Sequence, residues 1–292
     1  MSGTQHPGKR NRVVRGVVAL VGVLILTSCG SGAATGGSSA SPPNYKLVNP
    51  GYLTVATYGS GPPVITVSAD GTLGGLEGSW LNSFAQAQGL KVKVVQTTFA
   101  SVILDVEQAK VDVGTYYYYT AARAQHVWYT YPFLAEKASV ITLKSFNYTG
   151  PDSMSGKKIA TILGFVWAPY LQKAFGANAV LFPDAASVET ALLNGQVQGY
   201  VNASVALRDP TLANSTNVTA HLINSGDFGM PDSVLATHDY NFVKCDNKAL
   251  ADAMNAHLAK MHQTGDWLKA LQAVGLTTTE DDQLQSPAEL CA

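Results

Sequence analysis

The chain has 292 residues, long enough for two ordinary domains, and its 46% hydrophobic and 13% charged content describes a globular protein with a substantial core rather than a disordered one. A formal net charge of −1 provides no basic field for a polyanion, which argues against nucleic acid as a partner.

Residues 1–28 read as a lipoprotein signal peptide. Lys9, Arg10, Arg12 and Arg15 form a positive n-region, Gly16 to Leu26 form a short apolar stretch, and Leu26-Thr27-Ser28-Cys29 has the form of a bacterial lipoprotein cleavage site. The apolar run falls short of the ~20 residues that a membrane-spanning helix needs. Cys29 is the expected lipidation residue, which would place the protein on the extracytoplasmic face of the cell membrane; an ordinary secretory signal beside a coincidental cysteine is the alternative. Residues 29–45 form a Gly/Ser/Pro-rich tether. Cys245 and Cys291 then remain as a pair in an oxidising compartment, where a disulfide between them is expected. Two cysteines so far apart do not make a metal-ligand cluster, and neither metal nor cofactor is expected.

Along the mature chain, Tyr52 to Thr57 reads as a strand, Asp70-Gly71 as the turn of a hairpin, Ser79 to Gln88 as an amphipathic helix and Lys91 to Gln96 as a second strand. Val102 to Gln108 supplies a short helix. From Lys110 to Phe133 the sequence runs KVDVGTYYYYTAARAQHVWYTYPF, with β-branched and aromatic residues that suit a strand. Thr120 is a candidate N-cap that would put Arg123 in a first helical turn beside unpaired N–H donors, a site suited to an anion. A guanidinium adds a planar fork that can meet a carboxylate with two bonds.

A second α/β unit follows, with strands at Lys157 to Ile162, Val180 to Phe182 and Gln198 to Val201, and helices at Trp167 to Phe175 and Ser187 to Leu193. Ser233 to Thr237 reads as a returning strand. Lys248 to Met261 reads as a helix with apolar residues at 250, 254, 258 and 261.

The Thr120-x-x-Arg123 spacing after a strand, the Tyr-Pro-Phe ending at Phe133, the Asp70-Gly-x-Leu-x-Gly order leading to Glu77, and Gly265-Asp266-Trp267-Leu268 occur in an order that resembles the extracytoplasmic solute-binding proteins of amino-acid-type ABC transporters, family 3. The resemblance covers about Tyr52 to Leu276. It implies an α/β, two-lobed periplasmic-binding-protein type II fold, each lobe a mostly parallel sheet with flanking helices and a ligand cleft between them. Residues 46–138 would form the first part of lobe one, 139–230 lobe two, and 231–292 the return to lobe one with C-terminal helices and tail.

The resemblance also implies roles. Arg123, with Thr120, would hold the ligand carboxylate; Thr115, Tyr116 and Tyr118 would contact the ligand and Tyr58 would stack on it. From lobe two, Gly164, Phe165 and Asn202 would close over it. Glu77 could supply a carboxylate, although it and Asp227 are more simply surface or turn residues. Two departures weaken the standard amino-acid pattern: Phe165 stands where a threonine is usual, and Asn202 near the place of the ammonium-binding aspartate. The implied function is capture of a small carboxylate-bearing solute by a monomer, which delivers it to an ABC permease and its ATPase. No nucleophile-base constellation or phosphate loop is visible, so the protein is not expected to be an enzyme. A ligand sensor without a transport role is the alternative, followed by a dehydratase-like enzyme on the same fold.

Overall fold

The computed structural model describes residues 44–285 apart from Ser60, together with 287 and 291. The signal peptide, Cys29 and all of the tether up to residue 43 lie outside the described residues.

Strand β1 (Tyr52–Thr57) leads into a two-strand hairpin, β2 (Thr66–Val67) and β3 (Leu73–Gly74), whose turn carries Asp70-Gly71. Gly71 has φ +83°, a conformation that favours glycine. Helix α1 (Gly75–Ala87), strand β4 (Lys91–Gln96), helix α2 (Phe99–Glu107) and strand β5 (Val113–Tyr118) follow, then the single turn α3 (Ala121–Ala124). Helix α1 starts four residues earlier than the expected Ser79, because Leu76 extends the buried stripe of Trp80, Leu81 and Phe84 by one turn.

Strand β6 (Val127–Leu143) is 17 residues long and serves two halves of one sheet. Its first part, to Lys137, pairs antiparallel with the returning strand; its second part, from Ala138, pairs with strands of the second unit. That unit runs β7 (Ile159–Ile162), α4 (Ala168–Phe175), β8 (Ala179–Phe182), α5 (Ala185–Leu193), β9 (Gly199–Ala203), α6 (Pro210–Ala213) and β10 (Val218–Leu222). The chain returns through β11 (Ala236–Lys244) to α7 (Lys248–Thr264) and α8 (Asp266–Ala273).

The strand order is β4-β1-β5-β11-β6-β9-β7-β8, with β10 also on β6. Each half therefore holds three parallel strands, β4-β1-β5 and β9-β7-β8, joined through the antiparallel pair β11 and β6. Strand-helix-strand crossovers connect the strands of each parallel triplet. The expected strand at Ser233 to Thr237 is displaced: Asp232–Val234 forms a 3₁₀ turn and the strand extends to Lys244. Asp239 and Asn241 are poor strand formers, yet pairing with β5 on one side and β6 on the other overrides local preference.

In lobe one, Trp80 of α1 packs on Phe133 of β6 and Trp267 of α8, at ring-centroid distances of 5.6 and 6.5 Å. Cys245 and Cys291 are joined in a disulfide with Cα atoms 5.6 Å apart. Among the described residues no helix is long and apolar enough to cross a membrane.

Candidate ligand cleft

A cavity of about 600 Å³ lies between the lobes and is lined by residues at strand ends. Tyr58 follows β1, Phe99 follows β4, Tyr118 ends β5, Phe165 follows β7, Asp184 follows β8 and Asn202 lies in β9. Ligands of open α/β sheets bind beyond the carboxyl ends of the strands, which is where this cavity sits.

Arg123 is placed by its own turn. The Thr120 hydroxyl accepts the Arg123 N–H at 3.1 Å, as an N-cap does. The guanidinium then donates from Nη1 to the Tyr118 carbonyl (2.8 Å) and from Nη2 to the Gly164 carbonyl of lobe two (2.9 Å). It lies 5.0 Å from the Tyr117 ring centre and 5.3 Å from that of Phe99, within cation–π range. One side chain thus spans the cleft and bonds both lobes.

The tyrosine run divides by face. Tyr117 is buried and stacks on Phe99 at 4.0 Å, whereas the Tyr116 and Tyr118 phenols line the cleft and donate to the two oxygens of Glu136, at 3.2 and 2.8 Å. Thr115 and Tyr116 together oppose the single residue Asn241, so β5 bulges there, and Tyr116 takes φ +58°. A left-handed backbone is costly for a bulky residue and persists when surrounding contacts fix it. Here the Glu136 bond and a parallel stack on Tyr58, with ring centres 6.2 Å apart, do so. Across the cleft, Phe165 meets Phe99 at 4.7 Å and Tyr58 at 6.3 Å. Trp167, fully buried, packs on Tyr118 at 5.5 Å and donates its indole N–H to the Val234 carbonyl.

Four expected residues are not among those that line the cavity: Thr115, Thr120, Glu77 and Gly164, the last of which gives its carbonyl to Arg123. Thr115 is fully buried and donates its hydroxyl to the Ala56 carbonyl, and the Thr120 hydroxyl is engaged in the cap. Glu77 is neither a surface nor a turn residue: it is fully buried on the apolar face of α1. Its carboxyl faces the Tyr116 N–H and the Asn241 amide, but neither oxygen has a partner in hydrogen-bond geometry. Asn202 reaches the cavity, although its oxygen accepts the Ala203 N–H and its amide donates to the Tyr200 phenol. Asp227 does lie in a turn, accepting the Asn224 N–H.

Sequence reasoning missed Phe99 and all four acids that line the cavity. Among the described lining residues Arg123 is the sole cation, against four acids: Asp184, Glu189, Asp209 and Asp239. Burial, with the nearby Asp209 charge adding to it, pushes the Glu189 carboxyl up to about 7. Burial also raises Asp239, reinforced by Glu136 and then Glu77, and it raises Glu136 as well. A charged residue inside an otherwise apolar strand is the sequence signal for Glu136 and Asp239.

Comparison with known proteins agrees with this architecture. The family model described as bacterial extracellular solute-binding proteins, family 3, matches residues 53–274, and the chain belongs to that family. No curated protein matches the chain at a significant level. Among solved structures, a mutant of an arginine-binding protein from T. maritima is 21% identical, with a TM-score of 0.66 over 77% of this chain and 95% of that one. The substrate-binding protein of an amino acid ABC transporter aligns with a TM-score of 0.68 at 17% identity, over 77% of this chain and 99% of that one. A histidine kinase sensor domain with similarity to periplasmic binding proteins aligns at 0.65 and 19% identity, over 77% of this chain and 97% of that one. At these identities the structures establish the type II binding-protein fold.

Proposed function

We propose that the protein captures a small carboxylate-bearing solute, an amino acid or a relative with an aromatic or apolar body, by closure of its lobes. It then presents the solute to an ABC permease and its ATPase, working as a monomer held at the outer face of the membrane by lipid on Cys29. The observation that carries this reading is Arg123, whose guanidinium lines the cavity among Tyr58, Phe99, Tyr118 and Phe165. A ligand carboxylate can exchange with the Gly164 carbonyl for the arginine's donors, and charge assistance favours the carboxylate. Family membership and the likeness to amino-acid-binding structures support the same class of ligand. The likeness to a sensor domain favours, second, a sensing role without transport.

A thermal-shift screen over amino acids, aromatic acids and small dicarboxylates tests capture, since a ligand that binds only the folded state raises the melting temperature. Arg123→Ala should abolish the hit; an unchanged affinity rules out the carboxylate clamp. Solute uptake that survives deletion of the gene would favour sensing, and Cys29→Ser should release the protein from membranes.

A further inference from the structure

Behind the Tyr58–Tyr116 stack lies a group of three carboxyl side chains from three elements: Glu77 of α1, Glu136 of β6 and Asp239 of β11, exposed by 0, 6 and 1%. Among the described residues none of the ion pairs includes any of them. Glu136 accepts from the Tyr116 and Tyr118 phenols. Asp239 borders the cavity, and its Oδ2 has no hydrogen-bond donor. Buried carboxylates without a cation are costly, by several kcal/mol each when charged, and a fold retains them where something offsets the cost. The tail acid Asp282, itself paired with His238, and Glu77 lie near enough to raise Asp239 further.

We propose that Asp239 and Glu136 form a cation subsite in the lobe-one wall, taking a primary ammonium or guanidinium group of the solute. This rests on the reading of the cleft as the ligand site and specifies what lies at the far end from Arg123. Tyr118 gives the spacing: its carbonyl accepts from Arg123 and its phenol donates to Glu136, so the two charged ends stand about one tyrosyl side chain apart. An α-ammonium shares its carbon with the carboxylate and cannot reach both. The cation is therefore remote from the carboxylate, on a side chain or at the end of a short linear solute. The Tyr118 phenol can turn aside from Glu136, and a cation in its place also meets the face of Tyr58 or Tyr116.

Isothermal titration with L-arginine, L-lysine, L-citrulline and agmatine tests this. Citrulline keeps the length and carboxylate of arginine but is neutral; agmatine keeps the guanidinium and lacks the carboxylate. Arginine or lysine should bind at least about tenfold more tightly than citrulline, the value of one charge-assisted bond. Asp239→Asn should remove that preference while leaving citrulline binding within about threefold. The same variant should raise the melting temperature of the unliganded protein, showing that it folds and that the loss is in binding. Because burial, and then the neighbouring Glu136 charge, raise the Asp239 carboxyl, cation binding should also release protons, seen as a heat that varies with buffer ionisation enthalpy.

Equal affinity for arginine and citrulline, a preference that survives in Asp239→Asn, or no binding of arginine and lysine at millimolar concentration overturns the proposal. Loss of agmatine binding in Asp239→Asn with full arginine binding in Arg123→Ala would instead leave the cation subsite standing and remove the carboxylate clamp.

Discussion

The two walls of the cleft both carry acids, but they hold them differently. In lobe two, Asp184 caps α5 by accepting the Ser187 N–H, and Asp209 caps α6 by accepting the Thr211 N–H, each at 2.8 Å. Those carboxylates have a structural occupation, satisfying donors that a helix start leaves unpaired. In lobe one, Glu77 and Asp239 have buried oxygens with no donor, and Glu136 is met by two phenols and by the Asp239 carboxyl. A count of charges therefore overstates lobe two and understates lobe one. Partners distinguish an acid that the fold needs from one that it merely tolerates.

Substitutions on each side can break or sharpen that contrast. The largest effect is expected at Trp167→Ala, which removes the indole that packs the start of lobe two onto Tyr118; denaturant titration should show a loss of about 3–5 kcal/mol, as for other buried aromatics. If instead Trp167→Ala alters only ligand affinity, the two walls are not packed as one body. Asp239→Asn should change stability in the opposite direction, a gain of about 1–3 kcal/mol without ligand, because an amide keeps the hydrogen bond to Glu136 without placing a second ionisable acid beside it. Asp184→Ala, a loss of one cap, should cost about 1 kcal/mol. A stabilised Asp184→Ala or a destabilised Asp239→Asn would erase the contrast.

A further effect is a slope against pH. Glu189 holds its proton in the folded state up to about 7 against an ordinary 4.5, so the folded form binds more protons than the unfolded one in that window. Its contribution to stability is complete below about 4.5 and falls as the pH rises toward 7. Glu189→Gln should flatten the curve of stability between those values, and an unaltered curve would place the titration elsewhere. The raised Asp239 and Glu136 act with the same sign.

What could be read beforehand depended on how local the cause was. Thr120 as a cap for Arg123, the strand of tyrosines and the returning helix α7 follow from residues within a few positions of each other. The cysteine pair followed from compartment and count. Glu77 was harder, because one carboxyl in the stripe of Trp80, Leu81 and Phe84 looks like a helix surface until burial shows that the stripe continues through it. Asp239 and Glu136 lie about a hundred positions apart and meet only through the register of β11 on β6, which no local pattern carries. The bulge that turns Tyr116 to φ +58° likewise belongs to the pairing of β5 with β11.

The C-terminal tail touches more than the lobe it caps. Glu280 accepts the Ala135 N–H of β6 with its carbonyl and pairs through its carboxylate with Arg208, which lies past β9 in lobe two and also donates to the Gly275 carbonyl. Asp281 holds the Trp267 indole, Asp282 holds His238, and the disulfide fastens the end of the segment beside the start of α7. Any opening of the lobes must then stretch or release Arg208 as well as twist the two crossing strands. The tail is an external brace joining lobe one to Arg208 of lobe two, and the disulfide fixes that brace at its lobe-one end.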